Sequence, residues 1–333
     1  MAKPVKALTF ADIMDSIDVT TDIDCSNKGL TSFEGCPEKV KGNFNCSGNK
    51  LTTLDGSPKI IKGNFNCSKN LLKTLEGGPE EVKGDYDCSN NQLISLEYCP
   101  AFVMGDFSCT NNQLTSLQGE ICSSKGMKLA KCLEIVEGDF NCSGNQLQAL
   151  EGSPMIVGGD YDCSNNQLTS LEKCAVVIAG DFCCTGNQLI SLDGAPRHVE
   201  GNFDCSRNKL TTLKGSLKKV DGDFICSSNE LTSLKGAPEE VKAFDCSNNQ
   251  LTSLKRAPEK VRGNFDCSWN KITSLKSAPK KVKGHFNCSG NQLTTLESGL
   301  KKVDGDFLCA DNASPFTEEQ VRAAYQIQGS FFS

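Results

Sequence analysis

The chain has 333 residues, 35 Lys and Arg against 41 Asp and Glu for a formal net charge of −6, and 20 cysteines. The negative balance argues against generic nucleic-acid binding and leaves basic partners open. The opening MAKPVKALTFADIMDS has no apolar run and carries Asp12 and Asp15, so it does not read as a signal peptide, and no stretch approaches the roughly 20 apolar residues that cross a bilayer. A soluble cytoplasmic protein with reduced thiols is expected, not a secreted disulfide framework.

Residues 1–20 are expected to form an amino-terminal cap. In LTFADIMDSI, Phe10, Ile13, Met14 and Ile17 recur at helical spacing behind Thr9 as a candidate N-cap, which predicts a helix.

From residue 21 to 312 the chain repeats itself. The pattern FxC(S/T)xNxL places a cysteine at positions 25, 46, 67, 88, 109, 142, 163, 184, 205, 226, 246, 267, 288 and 309. These fourteen rungs are 21 residues apart, except for 33 between Cys109 and Cys142 and 20 between Cys226 and Cys246. So regular a period predicts a solenoid, whose units are too small to fold alone and bury one another's apolar faces. In GNFDCSRNKLTTL, Phe203 and Cys205 alternate with Asn202, Asp204 and Ser206, the period of a strand with one buried face. Asn208 follows, and an asparagine holds that place in each rung from Asn49 to Asn312, where its amide suits backbone groups of the turn and stacking on a neighbouring rung. Two leucines and then a recurrent proline (Pro37, Pro58, Pro79, Pro100, Pro154, Pro196, Pro238, Pro258, Pro279) predict a turn-like or extended return, not a long helix. A glycine four residues before most cysteines, as in Gly42, Gly63 and Gly201, suggests a positive φ or a bulge, lost in the short rung around Ala243.

The twelve extra residues fall within 119–136, GEICSSKGMKLAKCLEIV. A surface bulge with a short helix in MKLAKCLEIV is the main reading; Cys122 and Cys132 offer a pair or a metal site, though their spacing matches no metal motif. In the doublet GDFCC, Cys184 belongs to the inward column, whereas Cys183 stands outside beside Asp162 and Asp204, an anionic setting that makes a poor nucleophile. Lysines gather on the late returns and edges, as in LKGSLKKV, LKRAPEKVR and LKSAPKKVK. Residues 313–333 close the chain with a capping helix: Thr317 as N-cap, Gln320 completing a capping box, Phe316 and Val321 as a hydrophobic staple, and Val321, Ala324 and Tyr325 over the last rung.

The FxCSxNxLTxL core resembles the LxLxxNxL core of leucine-rich repeat proteins, with cysteine in the second apolar place. Over residues 20–312 it is most similar to the 21-residue FxCSxNxLTSLxGxP arrays of tailed-phage and bacterial proteins. The resemblance implies a mostly β leucine-rich repeat solenoid: one long parallel sheet of fourteen rungs, turn or extended returns, and short capping helices at both ends. Bacterial effectors with similar repeats append a ligase domain; the residues after Asn312 are too few for one, so that activity is not expected.

The exposed strand face carries the functional signal. Three residues and one residue before each cysteine, fourteen of twenty-eight places are aspartate and none is lysine or arginine. Two histidines, His198 and His285, lie in different columns, and there is no P-loop or dinucleotide fingerprint, so no enzyme and no cofactor are expected. The expected function is a protein-binding scaffold that presents Asp85, Asp87, Asp106, Asp139, Asp160, Asp162, Asp181, Asp204 and Asp223 to a partner with a basic surface. Trp269 is a candidate anchor. One version is a phage protein that blocks a host nucleic-acid-binding or defence protein in the host cytoplasm. The alternatives are a structural or assembly spacer and a calcium-binding repeat protein; nucleic acid would bind only through the late lysines. No membrane partner and no metal site are expected, and the oligomeric state is left open.

Overall fold

In a computed structural model, the described residues are 8–16, 18, 20–119, 121–122, 128–129 and 133–333. They fall into two compact units, Met1–Gln167 with Lys173–Ile178 and Leu168–Glu172 with Ala179–Ser333. No helix among the described residues is long and apolar enough to cross a membrane.

The first unit is a parallel β-solenoid of seven turns, one for each cysteine from Cys25 to Cys163. Each turn contributes a two-residue strand to a front sheet, from Ile23–Asp24 through Tyr86–Asp87 to Tyr161–Asp162. Parallel register places aromatic on aromatic, Phe44 on Phe65 and Tyr86 on Phe107. The 33-residue turn is absorbed without a register shift, since Phe140 pairs with Phe107. The returns, read from the sequence as turns or extended chain, are themselves short parallel strands, such as Lys39–Val40, Ile60–Ile61 and Glu81–Val82.

Alternation explains the core. The residue two before each cysteine (Ile23 in the first turn, Phe or Tyr in the others), the cysteine, the leucine places other than Leu296 and the return valine or isoleucine are fully or almost fully buried. Aromatic rings stack along the first unit with centroids 5.0 to 6.1 Å apart, a spacing that adds ring contacts to the apolar burial. The cysteine place accepts a small side chain that also donates: Cys46 Sγ lies 3.2 Å from the Asn66 carbonyl of the next turn. Burial pushes the Cys25 thiol up to about 12, with the nearby Asp24 carboxylate adding to it, and raises Cys46, Cys67 and Cys109 further.

The buried asparagines join turn to turn. Asn91 Nδ2 donates to the carbonyls of Cys67 and Cys88 at 3.1 Å, and its Oδ1 accepts the Leu72 N–H at 3.1 Å. One side chain thereby satisfies three backbone groups that would otherwise be buried without partners. The residue before each asparagine adopts a left-handed backbone, as at Asn90 (φ 54°) and Lys69 (φ 55°).

Two elements of the first unit differ from the sequence reading. The predicted amino-terminal helix is confined to one 3-10 turn, Met14–Ser16. Thr9 instead bridges Ser32, Asp12 closes a turn on the Thr9 N–H at 3.0 Å, and Phe10 and Ile13 are buried while Met14 is 43% exposed. Ile17 lies outside the described residues. The insertion expected to hold a short helix carries an antiparallel hairpin, Ile121–Cys122 with Lys128–Leu129, and Cys132 lies outside the described residues.

The second unit repeats the plan for Cys184 to Cys309, with ring centroids 5.1 to 5.8 Å apart from Phe182 to Phe307. The 20-residue turn keeps its register, Phe224 on Phe244. At its end stands the helix Glu318–Ala324, with the capping box of Thr317 and Gln320 in place. Val321 and Tyr325 are buried and the Tyr325 ring lies 5.4 Å from Phe307, but Ala324 is exposed and covers nothing. After the helix the chain re-enters both sheets: Gln326–Ile327 pairs with Lys302–Val303, and Phe331–Phe332 with Phe307–Leu308. Sequence reasoning stopped at the helix because these strands lack the cysteine that marks every other turn.

Candidate protein-binding face

The Asp and Asn columns outside the front strands are hydrogen-bond ladders. Three residues before the cysteine, the side chain at most turns accepts the backbone N–H of the same column one turn on, Asp223 and Ala243 being the exceptions. The Asp106 N–H donates to Asp85 Oδ1 at 2.9 Å, Asp139 to Asp106 at 2.8 Å, and Asp160 to Asp139 at 2.7 Å. In the second unit the Asn202 N–H reaches Asp181 Oδ1 at 2.7 Å and the Asp223 N–H reaches Asn202 Oδ1 at 2.8 Å. His285 serves equally, its Nδ1 accepting the Asp306 N–H at 3.0 Å. The ladder bond needs only an acceptor, and Asp Oδ1, Asn Oδ1 and the His285 Nδ1 all supply one.

This geometry corrects the reading of the glycine column. Gly63, Gly105, Gly138 and Gly159 have no positive φ; a Cβ there would overlap the acceptor oxygen of the preceding turn, at Asn43, Asp85, Asp106 and Asp139 respectively. Glycine is needed for close approach, not for its backbone freedom. At the short turn Ala243 offers no acceptor, and Gly263 alone in this series faces a Cβ, that of Ala243, at 3.6 Å. Asp223, one turn earlier, loses the N–H it would have received: its Oδ1 has no hydrogen bond and is faced by Lys242 Nζ at 3.4 Å.

The column one residue before the cysteine works locally. Asp87, Asp162 and Asp204 accept the N–H two residues on, from Ser89, Ser164 and Ser206, at 2.9, 2.8 and 2.9 Å. This is an Asx turn, which starts the chain on its left-handed corner.

The first unit gathers six of the predicted residues on four consecutive turns: Asp85, Asp106, Asp139 and Asp160 in one column, and Asp87 and Asp162 in the other, with Ser108 and Asn141 between them. Asp106, Asp139 and Asp160 are exposed. In the second unit, Asp181, Asp204 and Asp223 alternate with Asn202, Cys183 and Ile225 and form no continuous carboxylate row. Trp269 is 57% exposed but sits on the left-handed corner (φ 54°), its indole over Gly290, away from these aspartates in the turn order. Among the described residues no group of three or more His, Cys, Asp or Glu side chains is placed to hold a metal ion, which leaves the calcium reading without a ligand set there. Sequence reasoning missed the ladder bonds and also the outward column of the return strands; the recurring Gly-Asn and Gly-Asp pair was the available signal for the first, and alignment of the returns for the second.

No family model and no curated protein matches the chain. Solved structures similar to it include two of YopM. YopM from Yersinia enterocolitica WA-314 is 22% identical with a TM-score of 0.58, over 90% of this chain and 71% of that one. YopM, a leucine-rich effector protein from Yersinia pestis, is 21% identical with a TM-score of 0.53, over 96% of this chain and 90% of that one. Together with the fourteen parallel turns, these likenesses identify the fold of the chain as that of a leucine-rich repeat solenoid.

Proposed function

We propose that the chain is a non-enzymatic protein-binding scaffold and that its first unit presents the carboxylates of Asp85, Asp106, Asp139 and Asp160, with Asp87 and Asp162, to a basic partner surface. One observation carries this reading: the ladder needs an acceptor but not a charge. Asn43 and Asn64 make the same bond, to the N–H groups of Asn64 and Asp85, at 2.8 and 3.0 Å. Four successive turns nevertheless place carboxylates one strand spacing apart, about 4.8 Å, where they repel. Charge that folding does not require, held in fixed positions, suits electrostatic recognition. The nucleic-acid site of a DNA- or RNA-binding protein has the complementary sign. The likeness to a protein titled as an effector is compatible with action on another protein.

The spacer reading draws on the same ladder, because every acceptor in it already has a role in the array. The triple variant Asp106→Asn, Asp139→Asn and Asp160→Asn separates the two, since it removes charge and keeps acceptors. Affinity capture of bacterial proteins is expected to recover a set rich in basic proteins with the parent chain and to lose that set with the variant, while circular dichroism is unchanged. Identical capture by both chains would reject the acidic face.

A further inference from the structure

The return strands Phe102–Val103, Ile135–Val136, Ile156–Val157 and Val177–Ile178 are neighbours in the first unit, with Phe102 in register with Ile135, Ile135 with Ile156, and Ile156 with Val177. Val103, Val136, Val157 and Ile178 point into the core, which turns their partners outward. Phe102 is 57% and Ile156 45% exposed, and Met104, Met155 and Val176 beside them are 49%, 54% and 37% exposed. Elsewhere this outward column reads Lys39, Glu81, His198, Lys219, Glu240, Lys260, Lys281 and Lys302, with Ile60 as an apolar exception. Four consecutive turns therefore replace charge by large apolar side chains on a sheet face, and a groove lined by Pro154, Met155, Cys174 and Val176, with Glu134, Glu151 and Lys173 as its charged members, continues it. Scattered apolar residues on a surface need no explanation, but a contiguous apolar patch with polar neighbours marks a docking site.

Glu134 and Glu137 flank Ile135 in the middle of the patch; both are exposed, and among the described residues neither joins an ion pair. These two carboxylates decide between occupants. A second copy docking face to face would bring the same acids together in a desolvated contact, whereas a cation there pairs with them. The row from Phe102 to Val177 spans three strand intervals, about 14 Å, which is the length of roughly ten helical residues. Helices are also the usual cover of parallel-sheet faces.

We propose that this return-sheet face is a docking site for a cationic amphipathic helix of a partner protein. It is a surface separate from the aspartate columns. The probe is a fluorescein-labelled synthetic Leu/Lys peptide of about 14 residues, with leucine on one helical face, and the control is the same peptide with serine for leucine. Fluorescence anisotropy with the full chain is expected to show binding of the Leu/Lys peptide and not of the control. Phe102→Ser with Ile156→Ser should weaken binding roughly tenfold or more, as loss of anchor side chains does, and Glu134→Gln with Glu137→Gln severalfold. The preference for the Leu/Lys peptide over the serine control should survive in Asp106→Asn with Asp139→Asn. Equal binding of both peptides overturns the proposal. So does loss of binding only in the Asp106/Asp139 variant, which places the cation on the front columns and supports the acidic face instead. Self-association in sedimentation velocity that disappears in the Phe102/Ile156 variant also overturns it, by assigning the face to a second copy. Both apolar positions are surface positions, and an unchanged circular dichroism spectrum separates loss of docking from loss of fold.

Discussion

Tyr86 and Tyr161 occupy the same column and are both fully buried, yet their hydroxyls meet different neighbours. The Tyr161 hydroxyl lies 2.9 Å from Ser153 Oγ, whereas the Tyr86 hydroxyl has no hydrogen-bond partner, its turn carrying Gly78 in the place of Ser153. A buried polar group without a partner costs about 1–3 kcal/mol. Tyr86→Phe is therefore expected to stabilise the chain by about 1 kcal/mol, and Tyr161→Phe to give no gain. Urea unfolding midpoints check the pair; equal effects of the two substitutions would contradict the assignment. Trp269 offers a second contrast, because a left-handed corner costs an ordinary side chain roughly 1–2 kcal/mol and asparagine less. Trp269→Asn should raise the midpoint, since asparagine fills the same corner at Asn90, Asn111, Asn165 and Asn248.

The element that defines this array is the link between acceptor, glycine and N–H on adjacent turns. Its steric part predicts that Gly63→Ala, where the new Cβ meets Asn43, destabilises by about 1–3 kcal/mol, an overpacking cost. Gly263→Ala should cost clearly less, because Ala243 leaves its Cβ 3.6 Å away and the nearest atom, the Lys242 carbonyl oxygen, is at 3.1 Å. Equal losses would mean that the glycines serve the backbone and not the acceptor. The strand phase, the aromatic and cysteine core and the asparagine corner were legible in the sequence because side-chain burial alternates within one turn. The glycine role was not, because it depends on an oxygen supplied from the preceding turn, and a glycine column alone cannot distinguish close approach from a positive φ. The amino-terminal helix was misleading for a related reason: Phe10 and Ile13 have helical spacing, but the Phe10 ring lies 6.5 Å from Phe44 and Thr9 bridges Ser32, contacts that a local period does not report.

At the scale of the whole molecule, the column of buried thiols links stability to pH. Thiols titrate near 9.0 in the unfolded chain; burial pushes Cys25 up to about 12, Cys309 up to about 11, and Cys205, Cys226, Cys246, Cys267 and Cys288 well above their ordinary range. The folded chain therefore holds more protons than the unfolded one above pH 9, so this stability is complete below that pH and falls as pH rises toward the folded values. Each such thiol contributes about 1.4 kcal/mol per pH unit in that window. The urea midpoint under reducing conditions should hold up to about pH 9 and fall steadily from there toward about pH 11, and a flat profile would mean that the thiols are accessible. The sequence alone could not separate the two uses of the acidic columns. Asp and Asn alternate in the same places whether chosen as acceptors or as charges, and only the structure shows that Asn43 accepts the N–H of the next turn as Asp85 and Asp106 do.

The central claim is that these columns hold the turns together as acceptors and leave their charge for a partner. It is tested most directly by the urea midpoint of Asp106→Asn with Asp139→Asn, measured beside Asp106→Ala with Asp139→Ala. The asparagine pair should unfold at the parent midpoint or above it, and the alanine pair should lose about 1 kcal/mol for each acceptor removed. A loss in the asparagine pair as large as that in the alanine pair would contradict the account, because it would make the carboxylate charge itself part of what holds the turns.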